Sequence, residues 1–239
     1  MTSRSKPAPR AIPYGDERTF FESKTTEPAV SPYGTHYPVG TVVRGSANVT
    51  LDNGVVVSTT LPSMAELLFY ESKKELEKAH HLKSRSLRVT ANDNFIFFAD
   101  ETAFFTYLQN FLLGVLGLYA SLEAMVYELY IRRPNTEVAI DGEIIPLDRL
   151  SDYGFERKVS SIAAQLSGKE SIYGTPLMDK AKKIARLRTN IQHWDIPYDK
   201  QFFMDIPAEH PYKKMINIDP LEYVAWTREI LDYYKLGRH

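Results

Sequence analysis

The sequence predicts a mainly α protein: an up-and-down helical bundle carrying a small α/β N-terminal subdomain and a short hairpin insertion. Three observations predict it. From residue 100 to 239, apolar residues recur at spacings of three and four between helix start and stop residues. Over residues 39–99, β-branched runs and turn signals surround a single capped helix. The length of 239 residues, 44% hydrophobic and 25% charged, suits one substantial domain with a smaller appendage.

Residues 1–38 are rich in proline and polar groups (Pro7, Pro9, Pro13, Pro28, Pro32, Pro38) without a sustained period, and are expected to be an extended or disordered tail. The run GTVVRGSANVTLDNGVVVSTTL is broken by Asp52-Asn53-Gly54, a hairpin signal because Asn-Gly tolerates positive φ. Ser63 and Glu66 form a capping box that opens a helix through His81. SLRVTANDNFIFF follows as one or two strands turned at Asn92-Asp93-Asn94. A long helix then runs from about Glu101 to Arg133 and stops at Pro134, which cannot continue it. EVAIDGEIIPL alternates around Asp141-Gly142 as the inserted hairpin. FERKVSSIAAQL is a helix ended by Gly168. Thr175 as N-cap and Pro176 at the first helical position open the next helix, LMDKAKKIARLRTNIQHW. After a loop with Pro197, Pro207 and Pro211, Asp219-Pro220-Leu221-Glu222 starts the last helix. No internal repeat is visible.

Composition removes several classes of function. With 29 basic and 30 acidic residues the net charge is −1, so no global field draws the chain to nucleic acid or an anionic membrane, and RNA binding needs a local cluster. The absence of cysteine excludes disulfides, thiol nucleophiles and thiolate zinc sites. P-loop, GxGxxG, HExxH and GxSxG signatures are missing too. Of the six histidines only His80 and His81 are adjacent, and neighbours on a helix diverge by about 100°, so that pair reads as a solvated helix end and not as a chelate. No metal or cofactor is expected.

The segment from Thr102 to Leu122 is uncharged and about as long as a membrane-spanning helix. Gln109 and Asn110 lie inside it, Glu123 and Glu128 follow, and its only close basic flank is Arg132-Arg133. A central buried helix is therefore expected, with no membrane partner. The first twenty residues also lack the apolar stretch of a secretory signal.

The segment LMDKAKKIARLRTNIQHW carries the chemistry. Leu177, Ala181, Ile184, Leu187, Ile191 and Trp194 form its apolar face. Lys180, Lys182, Lys183, Arg186 and Arg188 make it the most cationic stretch of the chain, with Asn190 and His193 near its end. LRTNIQHWD resembles the signature of the HEPN superfamily, an arginine and a histidine four to six residues apart with a polar residue after the arginine. Here these are Arg188, Thr189 and His193. YASLEAMVYELYI resembles the family's first core helix, whose acidic residue faces the motif. Glu123 is the nearest match and Glu128 the second. FERKVSSIAAQLSGK resembles the next helix, so the likeness covers about residues 100–195. Five steps of a regular helix leave Arg188 and His193 about 140° apart, whereas Arg186 lies nearly on the histidine's face. Both arginines stay open as the functional one.

The resemblance implies a metal-independent RNA endonuclease. RNA brings its own nucleophile, the 2′-hydroxyl. A near-neutral imidazole can move its proton, and a guanidinium matches the phosphate oxygens as charge builds up. The implied catalytic residues are Arg188, His193 and Glu123, with Arg186, Asn190, Thr189 and Lys183 contacting substrate. The resemblance further implies a cytoplasmic homodimer with the site between protomers, in a defence or toxin–antitoxin setting where an antitoxin or regulatory protein is the partner. Phe104, Phe111, Leu112, Val115, Leu118 and Tyr119 offer apolar surface for core and dimer seam, and Gly114 and Gly117 permit close helix approach. The competing readings are a non-catalytic helical dimer that binds RNA or a protein, and a membrane-associated protein held by residues 102–122. In the plainest reading Arg188 and His193 are surface groups favoured by a helix C-terminus, and Trp194, Tyr198 and Phe202 are core aromatics, not base-stacking ones.

Overall fold

The structure, a computed structural model, describes residues 16, 18–20, 22–30, 34–89, 96–98, 100–192 and 215–235. It is mainly α with a few small antiparallel sheets. The described residues divide into two compact units, one ending at Ser63 and one running from Met64.

The first unit consists of strand pairs. β1 (Glu22–Lys24) pairs with β4 (Val42–Arg44), β2 (Ala29–Val30) with β3 (His36–Tyr37), and β5 (Ser46–Thr50) with β6 (Val56–Thr60), all antiparallel. The β5–β6 hairpin turns where Asn53-Gly54 predicts: Gly54 has φ 78° and Asn53 Oδ1 accepts the Val55 N–H. Within residues 1–38, expected as an extended or disordered tail, the described residues include β1, β2 and β3. β1 is held in register by its partner about twenty residues on, and Glu22 accepts a 2.6 Å hydrogen bond from Arg44 Nε at the paired position. That pairing is non-local and leaves no periodic trace in the sequence.

The second unit is a helical bundle. α1 (Met64–Ser86) leads through the antiparallel pair β7 (Leu87–Val89) and β8 (Ile96–Phe98) into α2 (Glu101–Arg132). The turn expected at Asn92-Asp93-Asn94 lies outside the described residues. Asp100 caps α2, its carboxylate accepting from the Thr102 N–H. β9 (Ala139–Ile140) and β10 (Glu143–Ile144) form the expected hairpin, with Asp141 and Gly142 both at positive φ. After a 3₁₀ turn at Leu147–Asp152 comes one helical rod in three pieces: α3 (Phe155–Arg157), a π-helical turn (Lys158–Ile162) and α4 (Ala163–Ser167). It ends at Gly168 in the left-handed conformation, as expected. α5 (Pro176–Gln192) and α6 (Pro220–Tyr234) complete the bundle. Asp219 caps α6 through the Leu221 N–H, whereas the Thr175 hydroxyl donates back to the Ile172 carbonyl.

Helix directions follow from the contacts. Early α1 meets late α2, since Glu128 accepts the Ala65 N–H, and late α1 meets early α6, where Lys83 donates to the Ile218 carbonyl. α1 is thus antiparallel to both. It belongs to the second compact unit, which begins at Met64. The reason is its apolar face: Phe69, Leu76 and Ala79 are buried in the same core as Phe111, Val115 and Leu118 of α2. At Gly114 and Gly117 α1 packs closely against α2. A β-carbon on Gly114 would lie 2.4 Å from Leu76 Cγ, and one on Gly117 would lie 2.1 Å from Ser72 Oγ. Their close approach is used within the chain. α2 has the length and composition to cross a membrane, but one face is covered by the bundle, while Phe105 (65%) and Leu113 (52%) remain exposed.

Candidate functional site

α5 buries Met178, Ala181, Ile184, Leu187 and Ile191 and turns its cations outward. Their partners differ. Lys180 pairs with Glu229 of α6, and Lys182 lies 3.5 Å from Glu156. Lys183 sits over the Trp226 ring, 4.9 Å from its centroid. Arg186 is exposed. The Arg188 guanidinium lies over the ring of Tyr119, 4.8 Å from the centroid. Among the described residues neither Arg186 nor Arg188 has a carboxylate partner.

The Tyr119 ring also stacks on Phe155 at 4.5 Å and 21°, so Phe155 of α3 and Arg188 of α5 both pack on Tyr119 of α2. Burial pushes the Tyr119 phenol above its ordinary range; the Glu123 carboxylate adds to that shift and Arg188 opposes it. Both charges therefore act on one ring.

Glu123 lies one helical turn beyond Tyr119 and accepts a 3.0 Å hydrogen bond from Lys158 Nζ. Lys158 opens the π turn, and its side chain is only 8% exposed. It also lies 5.9 Å from the centre of the Tyr127 ring. A buried ammonium is costly unless paired, and Glu123 supplies the pair. π turns often occur at functional sites because the extra residue re-aims side chains.

Of the two acidic residues singled out by sequence, Glu123 stands beside the arginine's platform, while Glu128 points to the start of α1. Arg188 is brought onto α2, and Thr189 and Arg186 face outward with Asn190 half-buried. His193, Trp194, Tyr198 and Phe202 lie outside the described residues. His80 Nδ1 is 3.4 Å from Asp219 Oδ1, and His81 is exposed. Sequence reasoning missed Lys158 and Phe155, and took Tyr119 only as apolar surface. A signal for Lys158 existed: it interrupts the apolar stripe Phe155, Val159, Ile162, Leu166, where a cation must be buried. The chain matches no protein-family model, no curated protein and no solved structure.

Proposed function

We propose that the protein is a metal-independent endonuclease of HEPN type that cleaves single-stranded RNA. The observation that carries this reading is Arg188, laid on the face of Tyr119 with no carboxylate partner among the described residues. An arginine held by a ring keeps its planar N–H edge open for phosphate oxygens, and the ring lowers the entropy lost when phosphate binds. Lys183 and Arg186 on the same helix add positive charge for an RNA backbone, and Thr189 and Asn190 supply hydrogen bonds to it.

In the proposed reaction the 2′-hydroxyl oxygen bonds to phosphorus as the bond to the 5′-oxygen breaks. His193 takes the hydroxyl proton or delivers one to the departing oxygen, and Arg188 neutralises the charge on the equatorial oxygens. The products are a 2′,3′-cyclic phosphate and a 5′-hydroxyl. A cytoplasmic homodimer, in a defence or toxin–antitoxin setting with an antitoxin as partner, belongs to the same reading. The exposed Phe105 and Leu113 of α2 support the dimer, and they equally favour a second reading, a helical dimer that binds RNA or a protein without turnover.

The test is incubation of purified protein with single-stranded RNA in EDTA. Cyclic-phosphate products are expected, abolished by His193→Ala and by a 2′-deoxy substitution at the cleaved position. Binding without cleavage would select the second reading, and cleavage by folded His193→Ala would remove the histidine from its role.

A further inference from the structure

We infer that Lys158 is a positioning residue whose buried ammonium holds Glu123 away from Arg188 and so keeps the arginine open to a phosphodiester. The inference rests on the proposed phosphate role of Arg188. Three observations carry it. Glu123 stands one helical turn beyond Tyr119 on α2, and Arg188 lies 4.8 Å from the centre of the Tyr119 ring. Carboxylate and guanidinium form the strongest side-chain pair available, with two parallel hydrogen bonds. Yet Glu123 is bound to Lys158 at 3.0 Å, and Arg188 is bound to the ring.

Lys158 explains why the stronger pair does not form. Its side chain sits in the core with Glu123 as its ion-pair partner, so releasing Glu123 would leave an ammonium uncompensated in a low-dielectric site. Glu123 is 31% exposed and can turn, so the energy holding it comes from the lysine. The π turn sets this geometry by opening at Lys158, which stands in a stripe otherwise made of Phe155, Val159 and Ile162. Without the lysine, Glu123 becomes a free carboxylate one turn from the ring on which Arg188 rests, and the guanidinium is the cation it turns to.

The full-length protein and its variants are titrated with a 2′-O-methyl oligonucleotide, which lacks the nucleophile, and separately with inorganic pyrophosphate. Circular dichroism checks folding. Lys158→Met is expected to bind both probes about tenfold more weakly, the loss of a charge-assisted contact. Lys158→Met combined with Glu123→Gln regains at least wild-type affinity, because the competitor is gone; a merely structural lysine would give no such rescue. Glu123→Gln alone binds about twofold more tightly, since a negative charge near the anion is removed. Wild-type affinity in folded Lys158→Met, or a double variant as weak as the single, overturns the inference. Should Lys158→Met fail to fold, Glu123→Gln decides, and affinity equal to or below wild type overturns it. Pyrophosphate binding that follows this order in a protein indifferent to RNA leaves Lys158 in its role and removes the RNA reading. RNA binding that ignores Lys158 does the reverse, and a wild-type protein that binds neither probe overturns both.

Discussion

Gly117 and Ser72 face each other where α2 crosses α1, so closely that a β-carbon on the glycine would overlap the serine hydroxyl at 2.1 Å. That hydroxyl is fixed, because it donates to the Leu68 carbonyl one turn back. Overpacking of this kind costs about 1–3 kcal/mol, of which alanine's better helix propensity returns about 1. Gly117→Ala is therefore expected to lose stability in urea unfolding, and Ser72→Ala to restore it. Gly114→Ala is the control: its overlap is with Leu76 Cγ and Cδ2, so Ser72→Ala should not rescue it. Equal rescue of both would contradict the geometry.

Arg228 joins α6 to α1. It donates to Glu66 at 2.5 Å and to Asp232 at 3.3 Å, and its guanidinium lies 4.2 Å from the centre of the Phe69 ring. The Glu66 side chain is 11% exposed. Arg228→Met should cost about 3 kcal/mol, mostly by removing the guanidinium that faces that buried carboxylate. Pairing the change with Glu66→Gln should return a large part of the loss in a double-mutant cycle. Strict additivity of the two changes would show that the pair is uncoupled.

At the candidate site, Tyr119→Leu removes the face on which Arg188 rests. A cation–π contact is worth about 0.5–2 kcal/mol, so oligonucleotide affinity should fall roughly 2- to 30-fold. Tyr119→Phe keeps the face and should lose less. If leucine and phenylalanine behave alike, the ring is not what holds the arginine.

Alkaline conditions should unfold the protein through its buried phenols. Burial raises the pKa of Tyr107, whose hydroxyl donates to the Met215 carbonyl, and of Tyr234; Tyr119 and Tyr223 shift the same way. An unfolded phenol ionises near pH 10, so each contributes stability that is intact below about pH 10 and is lost as pH climbs toward the folded values, by up to about 1.4 kcal/mol per pH unit. Lys83, lowered by burial, works in the opposite sense and offsets part of this. Unfolding free energies measured from about pH 9 to 11 should fall, less steeply in Tyr107→Phe. A flat profile would show that these phenols titrate alike in both states.

What was legible in the sequence was local. The Asn53-Gly54 and Asp141-Gly142 turns, the left-handed stop at Gly168 and the cap at Asp219 each stand where their own chemistry puts them. What was not legible depends on partners far along the chain. β1 needs β4, and the placement of α1 with the bundle depends on glycines about forty residues on. The platform under Arg188 joins residues 119, 155 and 188, and no window of sequence contains all three. The motif offered Arg188 and Arg186; packing decided what Arg188 rests on.

The inserted hairpin has one further consequence. The side-chain amide of Gln165 on α4 accepts the Ala139 N–H and donates to the Ala139 carbonyl, each at 3.0 Å, just as a neighbouring strand would. One amide thus occupies the outward hydrogen-bonding groups of β9. An edge left open there would be a template for strands of other molecules; filled by its own helix, it gives aggregation no place to begin.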